Sequence, residues 1–333
     1  MRLRLLVLVV LVAAQVSATA QSHTLIVLSH RNHVAYELDP DSGRVLHEYT
    51  AANQPHEATI SPDGRLLFVA VPQGPSVDVL DATTFARLAR IESPEFRRVP
   101  VQTPQGMNSS AAPHGIAITE DGRKVYVGLE NADVPGVVVI DAQRRTVTRK
   151  IDLLLQGGHY LAIQPGTGKL YYPHRDDDRV VVLDTKTDRV TKIVPVKGGP
   201  VGVAFRPNGE VWLHEDGDGS VTVLDASDTV VAVIPTGGKG AGRIAVSADG
   251  RFAASTHGGT QDVAIIDCER RAVVATVPLG RGPGFPLFAP DGSRLYVMNS
   301  GSGDVAVIDM TTHAVTARHK VGTDPFGGTM KVR

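Results

Sequence analysis

The chain has 333 residues, 42% of them hydrophobic, with 34 Lys and Arg against 35 Asp and Glu. A balance so close to neutral excludes the basic surface that a non-specific nucleic-acid binder needs. Its single cysteine, Cys268, excludes an internal disulfide and reads as a small packed side chain at a turn; no Cys-x-x-Cys-His segment is present, so no covalently attached haem is expected.

At the N-terminus, Arg2 and Arg4 precede the apolar run Leu5 to Val12, and Ala18-Thr19-Ala20 follows. This pattern predicts a secretory signal over residues 1–20, cleaved after Ala20. The apolar run is too short to span a bilayer, so no membrane span is expected after cleavage. Without Arg2 and Arg4 the count is 32 basic against 35 acidic residues, a formal charge of −3. The expected location of the mature chain is periplasmic or secreted.

From residue 21 onward one pattern recurs. An apolar strand ends in aspartate at Leu38-Asp39, Leu80-Asp81, Ile140-Asp141, Leu183-Asp184, Leu224-Asp225, Ile266-Asp267 and Ile308-Asp309, with gaps of 42, 60, 43, 41, 42 and 42 residues. A repeat near forty residues is the mark of a stacked-unit fold, and seven such units can close a ring without open sheet edges. Residues 284–321 show the unit most clearly. Pro286 to Phe288 is an inner strand, Ala289-Pro290-Asp291-Gly292 a turn, and Arg294 to Met298 a second strand. A loop follows, then a third strand from Asp304 to Ile308 and a fourth from Ala314 to Lys320. The turn recurs as Ser61-Pro62-Asp63-Gly64, Glu120-Asp121-Gly122, Arg206-Pro207-Asn208-Gly209 and Ser247-Ala248-Asp249-Gly250. Its Pro and Gly supply the φ values a tight turn requires. The repeated aspartate is placed to accept a hydrogen bond from an amide two residues on, a structural role.

The predicted fold is therefore all-β: a seven-bladed propeller over residues 21–333 with four antiparallel strands per blade. His23 to Val27 reads as a second strand, and Gly327 to Val332 as an inner strand with nothing after it. The C-terminal strand is thus expected to close the first blade. The one long gap places an insertion at residues 92–110, rich in Pro, Gly, Ser and Gln, which reads as a rim loop leading to His114. Long loops in compact domains are often lids, and Arg97, Arg98 and Met107 are its candidate contacts.

The segment from Gly282 to Gly322 resembles the YVTN-type propeller repeat, with Tyr296-Val297-Met298-Asn299 in the place of the name-giving motif. Related sequences are surface-layer and periplasmic seven-bladed propellers and, more distantly, the cytochrome d1 propeller. The resemblance covers nearly all of residues 23–333. It implies the fold; functions in that family range over scaffolds, binding proteins and a few enzymes.

The histidines are unevenly spread. His56, His114 and His159 lead into inner strands, while His174, His214 and His257 lie between second and third strands, where His30 and His33 also fall. Both kinds of connection emerge on one rim, so eight of the twelve histidines map there. Imidazoles from different blades can converge on Zn, Cu, Ni or Fe. His56, His114, His159, His174, His214 and His257 form the candidate metal-ligand pool, with Zn or Cu the expected ion. Polar loops alone would also explain them. Glu57 is a candidate base or ligand, or a loop-edge charge. Arg175 to Arg179 is a charge run. Glu215 to Ser220 alternates oxygen donors as a calcium loop does, without the terminal bidentate glutamate. Tyr160, Tyr171 and Tyr172 line either a pocket or a blade interface.

The leading functional expectation is an exported propeller that binds a small ligand or transition-metal ion at the histidine-rich rim of its central channel. The alternatives are a metal-assisted enzyme of lyase or lactonase type on the same rim, with histidine as acid or base, and a scaffold whose rim grips a partner protein. Methylamine-dehydrogenase heavy chains resemble this repeat and act partly in that way.

Overall fold

In the computed structural model, which describes residues 22–96, 101–103, 106–108, 113–130, 135–240 and 242–332, the chain forms seven four-stranded antiparallel sheets. Six blades are continuous in sequence. Blade 2 runs from the strand Glu57–Ile60 to Arg87–Glu92, blade 3 from Ile116–Ile118 to Thr146–Asp152, and blade 4 from Ala162–Ile163 to Arg189–Pro195. Blade 5 runs from Pro200–Phe205 to Val230–Ile234, blade 6 from Ile244–Val246 to Ala272–Pro278, and blade 7 from Pro283–Phe288 to Ala314–Lys320. Blade 1 is closed as expected: the C-terminal strand Pro325–Val332 pairs with His23–Ser29, aligning Leu25 with Met330 and Ile26 with Thr329. The residues of the expected signal, 1–20, lie outside the described residues.

The apolar strands explain the ring. Val77, Val137, Val180, Val221, Val263 and Val305 are all fully buried, because both faces of each third strand meet a neighbouring blade. The core is accordingly divided into seven apolar clusters, each shared by two adjacent blades. One of them joins Tyr296 and Val305 of blade 7 to Leu25 and Leu38 of blade 1. The repeated aspartates hold the outer hairpins: Asp81 accepts from the amides of Thr83 and Thr84 at 2.9 and 2.8 Å, and Asp309 from those of Thr311 and Thr312 at 2.9 and 2.8 Å. In the inner turns, Gly64, Gly122, Gly209, Gly250 and Gly292 all take positive φ, which accounts for glycine at that place.

Polar latches add order between blades. Lys124 and Tyr126 of blade 3 both reach Asp188, in the outer hairpin of blade 4. Lys169 and Tyr171 of blade 4 reach Asp228 of blade 5 in the same way, at 2.9 and 2.5 Å. Between blades 5 and 6 the charges reverse, with Glu210 beside Trp212 accepting from Arg271 at 2.8 Å. The insertion is more structured than a loop reading allows. It holds a helical turn at Pro94–Phe96 and a hairpin pairing Val101–Thr103 with Gly106–Asn108. Phe96 is buried with Phe68 and Ile116, so the insertion is rooted between blades 2 and 3. Arg97, Arg98 and the side chain of Met107 lie outside the described residues.

Candidate functional site at the channel mouth

At the start of the inner strands of the first four blades stand Phe326, His56, His114 and His159, the histidines each five residues before the turn of their blade. Neighbouring inner strands pack side by side, which brings these rings into an arc. Ring centroids are 5.0 Å apart for Phe326 and His56, 4.0 Å for His56 and His114, and 4.5 Å for His114 and His159. His30, just beyond the second strand of blade 1, lies 4.6 Å from His56 and 4.7 Å from Phe326.

Two carboxylates enter the same cluster. Glu57 follows His56 and lies 3.6 Å from His114 Nδ1; Glu130, after the second strand of blade 3, lies 3.4 Å from His114 Nε2. Two groups result, His56 with Glu57 and His114, and His114 with Glu130 and His159, and within each the donor atoms lie within 4.8 Å of one another. His114 belongs to both. Arg243 arrives from blade 6 across the channel. Its Nη2 donates to His159 Nδ1 at 3.0 Å and lies 3.6 Å from Glu57 Oε1.

The cluster is dry. His114 and Glu57 are each 2% exposed and Arg243 5%, and the Nδ1 atoms of His56 and His114 and both Glu57 carboxyl oxygens are buried without a hydrogen-bond partner. A buried polar group left unpaired costs about 1–3 kcal/mol, and such a concentration makes this cluster a candidate binding site. Burial sets the protonation. It pushes Glu57 up to about 7 against the pull of the Arg243 guanidinium, with Glu130 adding to the rise. Glu130 is pushed up to about 7 by burial as well, with Arg175 and Arg243 opposing. Burial also holds His56, His114 and His159 well below the ordinary imidazole value, helped by neighbouring imidazoles and Arg243, and brings His30 to about 4. The rings are therefore neutral at physiological pH, the form in which imidazole coordinates metal.

His174, His214 and His257 sit elsewhere. His174 is buried against Tyr172, ring to ring at 4.5 Å, with Nδ1 3.1 Å from the carbonyl of Gln156. His214 and His257 form a second pair 5.7 Å apart between blades 5 and 6. His214 Nδ1 is 2.8 Å from Ser255 Oγ, while His257 is held by Asp262 at 2.8 Å and Thr236 at 2.9 Å. Of the pool read from sequence, the structure thus brings together His56, His114 and His159. Sequence reasoning missed Glu130, Arg243 and Phe326. Arg243 stands four residues before Ser247, as Glu57 stands four before Ser61, and that alignment was the available signal.

These shifts predict a pH optimum for the stability of the metal-free protein. Between about pH 4.5 and 6.5 the unfolded chain protonates six imidazoles that the folded chain keeps neutral: His30, His56, His114, His159, His174 and His214. Their contribution rises with pH. Glu57, Glu130 and Glu215, the last pushed up to about 8 by burial, keep protons that the unfolded chain loses above about pH 4.5, so theirs falls until about pH 7–8. The imidazoles outnumber the carboxyls below about pH 6.5, and only the carboxyls act above it. Melting temperature measured in chelator is expected to peak between about pH 6 and 7; a steady rise to about pH 8.5 would contradict this balance.

No family model and no curated protein sequence matches the chain. Solved structures match over most of its length. The Pseudomonas aeruginosa periplasmic gluconolactonase PpgL is 18% identical, with 93% of this chain and 99% of that chain covered and a TM-score of 0.72. The Kuenenia stuttgartiensis hydrazine synthase is 21% identical over 84% of this chain and 90% of that chain, with a TM-score of 0.70. The dihydro-heme d1 dehydrogenase NirN is 18% identical over 90% of this chain and 64% of its own, with a TM-score of 0.65. At these identities the likeness is one of fold. The protein belongs to the class of seven-bladed propellers, here with a buried histidine–glutamate cluster at one end of the inner strands. The YVTN-type repeat is a resemblance read from the sequence alone.

Proposed function

We propose that this chain is an exported propeller that holds a transition-metal ion at the channel mouth, with His56, His114 and His159 as nitrogen donors and Glu57 and Glu130 as oxygen donors. The observation that carries this reading is the pair of three-donor groups meeting at His114. Neutral imidazoles with a carboxylate match zinc preferences, and imidazole sets also accept copper. A bound dication would repay the unpaired donors and shift Glu57 and Glu130 to their ionised forms. Export is supported by the N-terminal pattern and by the periplasmic propeller among its structural neighbours. The test is metal analysis of the purified mature protein. Stoichiometric Zn or Cu is expected, retained when His214 is changed to Ala and lost in the double change of His56 and His159 to Ala; a metal-free protein that does not take up either ion would refute the reading.

A second reading is favoured by Glu57, which is free for another role if the group of His114, Glu130 and His159 holds the ion. In it the same site activates water toward a lactone or similar ester, Glu57 acting as base. The likeness to a periplasmic gluconolactonase motivates the substrate choice. Turnover of a sugar lactone that vanishes in Glu57→Gln while metal is retained would select this reading; metal binding without turnover would select the first.

A further inference from the structure

A cavity of about 200 Å3 opens beside the histidine cluster, on the side of blades 6 and 7, lined among others by Gly242, Arg243, Gly284, Phe285, Ser300 and Phe326. We propose that this cavity binds a small organic anion, its carboxylate held by Arg243 and its body lying against Phe285 and Phe326. The proposal does not rest on the metal reading, because the charge partner is the guanidinium.

Arg243 is the first support. It is buried, and its Nε has no hydrogen-bond partner. Nη1 is spent on the carbonyl of Gly242 and Nη2 on His159, both at 3.0 Å. The guanidinium carbon also lies 5.7 Å from the centre of the Phe326 ring. Its nearest carboxylate is Glu57, whose Oε1 lies 3.6 Å from Nη2, beyond hydrogen-bond distance. A buried cation without a hydrogen-bonded carboxylate is costly, and a guest carboxylate supplies both the charge and the charge-assisted hydrogen bonds.

Gly284 is the second support. A Cβ built there meets the Phe326 carbonyl at 3.5 Å and nothing nearer, so packing does not demand glycine. Gly242 differs, since its Cβ would lie 1.7 Å from the Thr256 carbonyl. Glycine at 284 keeps the cavity open. The volume is below the usual range for ligand sites, which fits a single ring or short acid rather than a large cofactor.

Calorimetric titration of the mature protein with benzoate, benzamide and benzylammonium tests the assignment. Benzoate is expected to saturate one site and to bind at least about 10-fold more tightly than the other two probes, in keeping with a charge-assisted contact. Gly284→Leu is expected to weaken benzoate by at least about 10-fold while keeping its melting temperature and metal content, and Arg243→Gln to erase the preference for benzoate over benzamide. Benzoate that does not saturate, equal affinity for benzoate and benzamide, or full benzoate binding by Gly284→Leu would each overturn the proposal. Metal content read on the same samples reports on the neighbouring cluster separately.

Discussion

Changing His114 to alanine is expected to lower metal affinity at the mouth by well over about 100-fold, more than the loss of an outer-shell partner typically costs. His114 is the one residue in both three-donor groups, with Nδ1 turned to Glu57 and Nε2 to Glu130. Its loss therefore removes a donor from either placement of an ion, whereas Glu130→Gln leaves the group of His56, Glu57 and His114 intact. The ring is also packed between His56 and His159, so the change leaves a void. The void and the loss of an unpaired buried nitrogen act in opposite directions on metal-free stability. Affinity is thus the discriminating readout. A competitive chelator titration that finds wild-type affinity in His114→Ala would dismiss the coordination geometry.

Truncating the chain after Asp324 is expected to abolish cooperative folding. Among the described residues the lost strand, Pro325–Val332, is the one that pairs with His23–Ser29 on its inner side. Without it Leu25, Ile26, Val27 and Leu28, all fully buried, lose their cover, and blades 1 and 7 separate. A cut that opens the ring removes an amount comparable to a domain's whole stability, about 5–15 kcal/mol. The strand is pinned by charge as well as by pairing: Lys331 Nζ lies 3.1 Å from Glu37 Oε1, and Glu37 is fully buried. Lys331→Met should fold yet lose roughly 3 kcal/mol, because it removes the ammonium from a buried ion pair with Glu37. Denaturant melts followed by circular dichroism check both, and a truncated chain with a wild-type transition would show that closure is dispensable.

The architecture was open to reading because one signal repeats. Asp39 and its six counterparts mark the outer hairpins in sequence and hold them in space. Each blade supplies its own local rule, so errors at one place are corrected at the next. The mouth obeys no such local rule. Arg243 meets His159 across 84 positions of sequence, and Glu57 from a third blade, which no periodicity specifies. Strand alternation accounts for the division among the histidines. His174 and His257 are the last residues of their second strands and turn into the contacts between blades, whereas His30 and Glu130, one place further along, turn to the mouth. A shift of one residue decides between a packed ring and a candidate ligand, and loops blur that register in sequence. The insertion was legible in length and position but not in form, since its short hairpin carries too few residues for a pattern.

The most direct measurement is an anomalous difference map, recorded at the zinc edge, from crystals of the mature protein grown with zinc. The expected result is density beside His114, within coordination reach of His56 and Glu57 or of His159 and Glu130. Density only at the His214–His257 pair, or none at any histidine, would contradict the claim that three blades join their donors at the channel mouth.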